Sequence, residues 1–244
     1  MLIEILLAII QSITEFLPIS SSGHLALVSS LIDKPDLFFF TVLHFASLLA
    51  VLVFTRREII KLISFEEKYR KLWVFLIIGT IPAALFGYFF KNLIEKSLSS
   101  FLFLGFAFIF TGLILFFTKF STERTKLNWR NSLFIGIMQV FALFPGVSRS
   151  GMTISSGLFS GLKKEDAVKF SFLLFIPLAL GAMLLELGEF YFSYPLLLSF
   201  IITFFLSLIF LNLLYLIVRK DKFWLFSLYC FLIGIISLIL SFYK

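Results

Sequence analysis

The sequence predicts an all-α polytopic membrane protein. Six transmembrane helices and two re-entrant helical hairpins are expected, arranged as an inverted-topology repeat. Composition is the first reason. The 244 residues are 60% hydrophobic and only 14% charged, whereas a soluble domain is about half apolar and about a quarter charged. The apolar residues also run in unbroken segments of roughly 20, the length that crosses about 30 Å of hydrocarbon. Finally, two apolar regions are broken midway by Pro, Gly and Ser, and they repeat each other at an offset of 128 residues. A β-barrel is excluded, because it would show short alternating strands.

The elements follow in order. Residues 1–32 form the first broken region. It lacks the basic start and small-residue cleavage pattern of a signal peptide, and Glu4 and Glu15 interrupt it, so it is expected to stay in the mature protein. Full spans are expected at 37–55, 72–90 and 101–118. The second broken region covers 130–161, and further spans follow at 168–187, 195–218 and 223–242. Each half of a broken region is too short to cross alone, so a pair of half-helices entering and leaving on one side is the natural form.

Loop charge sets the orientation. Arg56, Arg57, Lys61, Lys68, Arg70 and Lys71 crowd one loop, and Lys119, Arg124, Lys126 and Arg130 another. Lys163 and Lys164 follow the second broken region, and Arg219, Lys220 and Lys222 separate the last two spans. These belong on the cytoplasmic side, whereas the loops at 91–100 and 188–194 belong outside. Such loops also account for the net charge of +7 without nucleic acid. The single domain 1–244 then divides into repeats at about 1–118 and 130–244. Each is a hairpin plus three spans, and an odd number inverts the second against the first. The polar tips can then meet near the midplane.

The tips carry the chemistry. Ile9, Gln11, Phe16, Ser20, Ser22 and Gly23 recur as Ile137, Gln139, Phe144, Ser148, Ser150 and Gly151. Ser20 and Ser148 stand where half-helices begin and suit N-caps. Helix N-termini offer free N–H groups and a positive dipole end, so two of them with Arg149 between make an anion site. A guanidinium suits phosphate oxygens. Pro18, Pro145, Gly23, Gly146 and Gly151 let the backbone turn and approach a ligand. Arg149, Glu15 and His24 are costly at membrane depth, about 2.5–3.5 kcal/mol for an Arg or Asp at a helix centre, so one mutual cluster is expected. Glu15 can hold a divalent cation or act as a base, with Gln11 one turn earlier as a neutral second ligand. Ser21 with His24 and Glu15 also allows assisted nucleophilic attack. Cys230 is the only cysteine, which excludes an intrachain disulfide and a cysteine metal cluster.

Gln11-Ser12-Ile13-Thr14-Glu15, running on through Phe16-Leu17-Pro18-Ile19-Ser20-Ser21-Ser22-Gly23-His24, resembles the first signature of the undecaprenyl-diphosphate phosphatase family. Pro145-Gly146-Val147-Ser148-Arg149-Ser150-Gly151-Met152-Thr153 resembles its second. Gly79-Thr80-Ile81-Pro82-Ala83 and Phe170-Ser171-Phe172-Leu173-Leu174 extend the likeness over nearly the whole chain. The resemblance implies removal of the terminal phosphate from a C55 isoprenoid diphosphate on the outer face of the cell membrane, recycling the lipid carrier for cell-wall synthesis. It implies a divalent cation, Mg2+ or another such as Ca2+. Glu15 is then the main acidic residue, with Gln11 in a variable Glu/Gln position as the second metal ligand. Ser21 is the expected nucleophile, with His24 as base or alternative nucleophile, and Arg149 holds the diphosphate. Ser148 and Thr153 also match family site positions. The tips themselves add Ser20, Ser22, Gly23, Gly146 and Ser150 as expected substrate contacts, and Gln139, the repeat partner of Gln11, is a further candidate to line the pocket. The partners are the isoprenoid lipid and membrane lipids, with a homodimer left open.

Other polar residues have plainer roles. His44 is expected to hydrogen-bond to a neighbour as a helix-buried histidine, with direct membership of the site as the alternative, Asn212 to join two helices, and Glu186 and Glu189 to be solvated. The 36 Phe residues pack the core and face lipid, and some can line a groove for a long tail. The competing function is a lipid or anion transporter on the same repeat; it needs a substrate site but no nucleophile beside a base.

Overall fold

The apolar segments fold as helices because a chain surrounded by hydrocarbon must satisfy its backbone internally. The computed structural model describes residues 1–30, 37–64, 67–98, 100–185 and 192–243. In order these form α1 (Leu2–Phe16), α2 (Ser21–Ser29), α3 (Leu37–Phe54), α4 (Arg56–Ile63), α5 (Glu67–Phe89) and α6 (Lys91–Ser97). Then come α7 (Phe101–Phe117), α8 (Trp129–Phe141), α9 (Arg149–Phe159), α10 (Lys164–Leu185), α11 (Tyr194–Arg219) and α12 (Phe226–Ser241). Among the described residues the extended pairing is one isolated bridge, Thr125 with Leu162.

Among the described residues five helices are long and apolar enough to cross a membrane, and a sixth is added if α3 and α4, bent by 74°, count together. Side-chain caps mark several starts. Asn128 Oδ1 accepts from the N–H groups of Arg130 and Asn131 at α8, and Ser193 and Ser100 cap α11 and α7. Each satisfies a donor that the first helical turn leaves free. Both broken regions are helix pairs, α1 with α2 and α8 with α9, as their Pro and Gly require.

Two short helices depart from the expectation of plain loops. In α4, Ile60 and Ile63 are exposed while Leu62 is buried, and the apolar and basic residues divide between faces as in a helix lying along an interface. The signal was present as Ile59, Ile60 and Ile63 spaced through the basic loop. The short α6 occupies the loop at 91–100. Glu186 and Glu189 lie outside the described residues.

Packing crosses between the two halves of the chain. Helix α1 packs on α11, α8 packs on α5, α12 on α7, and α3 on both α10 and α11. The main core runs through the middle, where Phe16 meets Phe172 and Phe175 edge-on at 6.4 and 6.0 Å. Those rings stand directly beside the polar tips.

Candidate active site

Each tip is built by a serine that ends one half-helix connection and starts the next helix. Ser148 caps α9, its Oγ accepting from Gly151 N at 3.1 Å. Ser20 caps α2 in the same way, from Gly23 N at 3.3 Å. Ser20 does more: its Oγ also accepts from Gly146 N of the second tip at 3.1 Å. To do so it takes φ 68°, a left-handed backbone that costs a non-glycine residue of order 1–3 kcal/mol. The second tip puts its left-handed residue at Gly146, φ 89°. Glycine is also needed where the tips touch, since a Cβ on Gly23 would lie 2.8 Å from the Gly146 Cα. Thr111 of α7 fixes the second tip, donating to Gly146 O at 3.0 Å and accepting from Ser148 N at 3.2 Å.

A polar cluster forms beside this contact. Glu15 Oε2 accepts from Ser21 Oγ at 2.6 Å and from Gln11 Nε2 at 3.1 Å. Its Oε1 accepts from Arg149 Nη2 at 3.1 Å. Glu15 is buried, with 7% of its side chain exposed, and Arg149 is partly buried, with 14%. The guanidinium also lies 4.1 Å from the Phe175 ring centroid, a cation–π contact strengthened by desolvation. Two buried polar atoms here have no protein partner: Arg149 Nη1 and Gln11 Oε1. Such orphans are rare and call for a physical explanation.

The remaining predicted residues divide. Ser22 is exposed and lies 3.4 Å from Ser20 Oγ, and the pair Ser148 and Ser150 repeats that contact at 3.3 Å. Thr153 supports Arg149 from behind: its hydroxyl bonds to Arg149 O at 2.9 Å and to Ser171 Oγ at 2.6 Å. Gln139 does not reach the cluster. It donates to Gly79 O at 3.3 Å and joins α8 to α5.

His24 also departs from the expected cluster. Neither of its ring nitrogens bonds to Ser21, Glu15 or Arg149. Nδ1 donates to the Ser20 carbonyl at 2.7 Å, since a carbonyl can only accept. Nε2 meets Tyr229 Oη at 2.8 Å, with the rings stacked at 5.6 Å. Two good partners on the far side hold the ring away from Ser21.

His44 moves the other way. Its Nδ1 donates to Phe40 O at 2.9 Å, one turn earlier in α3. Its Nε2, however, stands 3.8 Å from Glu15 Oε2, which puts His44 at the cluster. A histidine in an otherwise apolar span was the available signal. Phe175 and Tyr229 had none, being two aromatics among many. Asn212, expected between helices, is exposed on α11 and bonds to no other described residue.

Chemically, the cluster offers a hydroxyl poised on a carboxylate, an arginine with an unused donor, and two helix N-termini. For a cation the oxygen donors are Glu15 and Gln11. No group of three His, Cys, Asp or Glu side chains able to hold a metal is present among the described residues.

The fold and site define a multi-span helical membrane protein with an ionisable site buried inside it. The chain belongs to the bacitracin resistance protein BacA family, whose pattern matches residues 4–236. It is 43% identical over 246 residues to a Thermosipho melanesiensis protein named undecaprenyl-diphosphatase, covering 98% of each chain. Proteins of the same name from Methanococcus maripaludis strain C7 and Thermotoga maritima are 39% and 42% identical. Those matches span 94% and 96% of this chain, and 96% and 98% of the relatives.

Proposed function

We propose that the protein hydrolyses undecaprenyl diphosphate to undecaprenyl phosphate and inorganic phosphate. The observation that carries this is the unused, buried Nη1 of Arg149 beside two helix N-termini. A cation donor left unpaired in so apolar a setting suits a phosphate oxygen, and first-turn N–H groups of α2 and α9 suit the others. The name shared by relatives about 40% identical over nearly the full length gives the same substrate.

Ser21 Oγ attacks the terminal phosphorus and passes its proton to Glu15 Oε2. The bond from that phosphorus to the bridging oxygen breaks, and undecaprenyl phosphate leaves with the oxygen. Water then cleaves the phosphoserine, releasing phosphate and restoring the Ser21 proton. The 2.6 Å bond to Glu15 supports Ser21 as nucleophile over His24, whose Nε2 is engaged by Tyr229. Arg149 stabilises charge on the transferring group. A transporter would need the anion site but not a hydroxyl held on a carboxylate.

A divalent cation fits this donor set. Magnesium is commonly held by one or two carboxylates plus substrate phosphates. Glu15 and Gln11 would hold it, and the partnerless Gln11 Oε1 supports that pairing. When bound, the cation would neutralise phosphate charge. Everything else rests on the chain: Arg149 orients the diphosphate, and the buried rings of Phe16 and Phe175 wall one side of the site.

We also read the two halves as inverted repeats whose re-entrant tips meet within the membrane, with the site open to the outside. The reciprocal packing of α1 on α11 and α8 on α5 supports the repeat, and the basic loops support the sidedness. A single cysteine placed at 188–194 tests orientation, since protection from an impermeant reagent on intact cells would reverse it. For the activity, purified protein with magnesium and undecaprenyl diphosphate should release phosphate, and acid-quenched enzyme should carry phosphate on Ser21. Equal release by Ser21→Ala would overturn the assignment.

A further inference from the structure

One span ends and another begins at the same edge of the molecule. The span of α7 runs on through a tight turn at Thr118–Phe120. Lys119 of that turn lies 4.8 Å from the Trp224 ring, where the last span starts. Aromatic rings and basic side chains at span ends mark the headgroup level of a bilayer. Beside them is a cavity of about 380 Å³, within the 300–1,000 Å³ of small-molecule sites. It has two kinds of wall. Phe117, Phe120 and Phe159 supply rings, and Ser121, Thr122 and Arg124 supply polar groups. The catalytic cluster lies elsewhere: Arg149 opens α9 and Phe159 closes it, about 15 Å apart along the helix axis.

The polar wall is fixed in place. Arg124 N and Thr125 N both donate to Gly161 O, at 2.8 and 2.9 Å. Thr125 Oγ1 donates to Ser160 O at 2.8 Å and accepts from Asn131 Nδ2 at 3.2 Å. Gly161 permits this with φ 80°, a left-handed turn after α9 that glycine takes without strain. The segment 121–125 is therefore tied to α9, and little ordering is left for a ligand to impose.

The free groups suit an anion. The Arg124 guanidinium and the Thr122 hydroxyl bond to no other described residue. Ser121 Oγ donates to Thr118 O at 2.8 Å, which leaves its lone pairs for a hydroxyl of the ligand. The connection carries Lys119, Arg124, Lys126 and Arg130 against Glu123 alone. That carboxylate is turned to the backbone N–H of Lys164, at 3.3 Å.

We propose that this cavity is a binding site for an anionic phospholipid of the surrounding bilayer. Arg124 and Thr122 donate to the phosphate, and Ser121 accepts from a hydroxyl on the head. The rings of Phe117, Phe120 and Phe159 cover the first carbons of the chains. A choline or ethanolamine head would bring a cation to a basic connection, so the site selects against it. A bound lipid braces the far end of α9, the helix that presents Arg149.

The test counts lipids on the full chain by native mass spectrometry in detergent. Dioleoyl phosphatidylglycerol should bind more tightly than dioleoyl phosphatidylcholine. Arg124→Ala should weaken the first bound phosphatidylglycerol about fivefold, the scale of one cation at an anionic lipid surface. Arg130→Ala, in the same connection, should leave it unchanged. Equal affinity for the two lipids, no loss in Arg124→Ala, or equal losses in both variants would overturn the proposal. A second measurement needs no variant. A phosphatidylglycerol carrying a diazirine on the first carbons of one chain should label residues 117–125 or 159–161 of the wild-type protein. Labelling confined to other segments would overturn the site. Complete displacement of phosphatidylglycerol by equimolar inorganic phosphate would make this a free-anion site, and by equimolar farnesyl phosphate an isoprenoid site. Either result overturns the assignment.

Discussion

The two tips share a plan and differ in what they do with it. Each has a serine cap followed two residues later by a second serine, at hydroxyl distances of 3.4 and 3.3 Å. In the first tip the capping serine is itself the left-handed residue; in the second, Gly146 takes that conformation and leaves Ser148 at φ −77°. Repeat register sets Ser21 against Arg149 and Glu15 against Leu143. The first tip therefore carries the hydroxyl and carboxylate, and the second brings the cation that answers them. The same serine plan thus carries a hydroxyl and a carboxylate in one tip and a guanidinium in the other.

The sharpest break of this comparison is Ser21→Ala. We expect kcat/KM to fall by about 10^4-fold or more, the scale of losing a nucleophile, whereas Ser150→Ala should cost far less in the same phosphate-release assay. Arg149→Ala should lower kcat/KM by about 10^2–10^3-fold, as for a lost charge-stabilising donor. Arg149→Lys should fall between, because an ammonium cannot reproduce the planar fork. A wild-type rate for Arg149→Ala would dissolve the division of labour.

Smaller effects sharpen the structural half. Ser148→Ala removes one cap and should cost about 1 kcal/mol. Ser20→Ala also removes the bond to Gly146 N, leaving a buried donor, and should cost about 2–3 kcal/mol. Equal melting temperatures in detergent would count against Ser20 as the tie between tips. The smallest contrast concerns the fixing helices. Thr111→Val loses two bonds at the second tip and should cost about 1–2 kcal/mol. Cys230→Ala loses a weak thiol contact to Pro18 O at 3.6 Å and the packing of one buried sulfur, and should cost about 1 kcal/mol. The same melting series reads both.

Much of this was legible beforehand, for identifiable reasons. The spans follow from apolar length, and the observed helices α5, α7 and α11 begin and end within a few residues of those expected except at the N-terminus of α5. Ser20 and Ser148 were recognisable as caps because capping is a local act. Sequence spacing places His24 near Ser21 but cannot show Tyr229, 205 residues away, whose hydroxyl meets its Nε2. His44 shows the converse: its own helix offers it a bond, and only α1 packed alongside brings Glu15 near. Gln139 repeats Gln11 in sequence, yet its partner is Gly79 O rather than a carboxylate, because Leu143 stands where Glu15 would be.

By itself the sequence determined the membrane class, the two broken regions and the residues able to do chemistry. Those depend on apolar length, on Pro and Gly in the backbone, and on side-chain type, all of which are local. The tertiary structure alone decided which groups meet. Glu15 and Arg149 stand 134 residues apart and bond at 3.1 Å, and Ser20 reaches Gly146 across 126. A buried charge needs a partner wherever the chain can bring one, and only packing selects which.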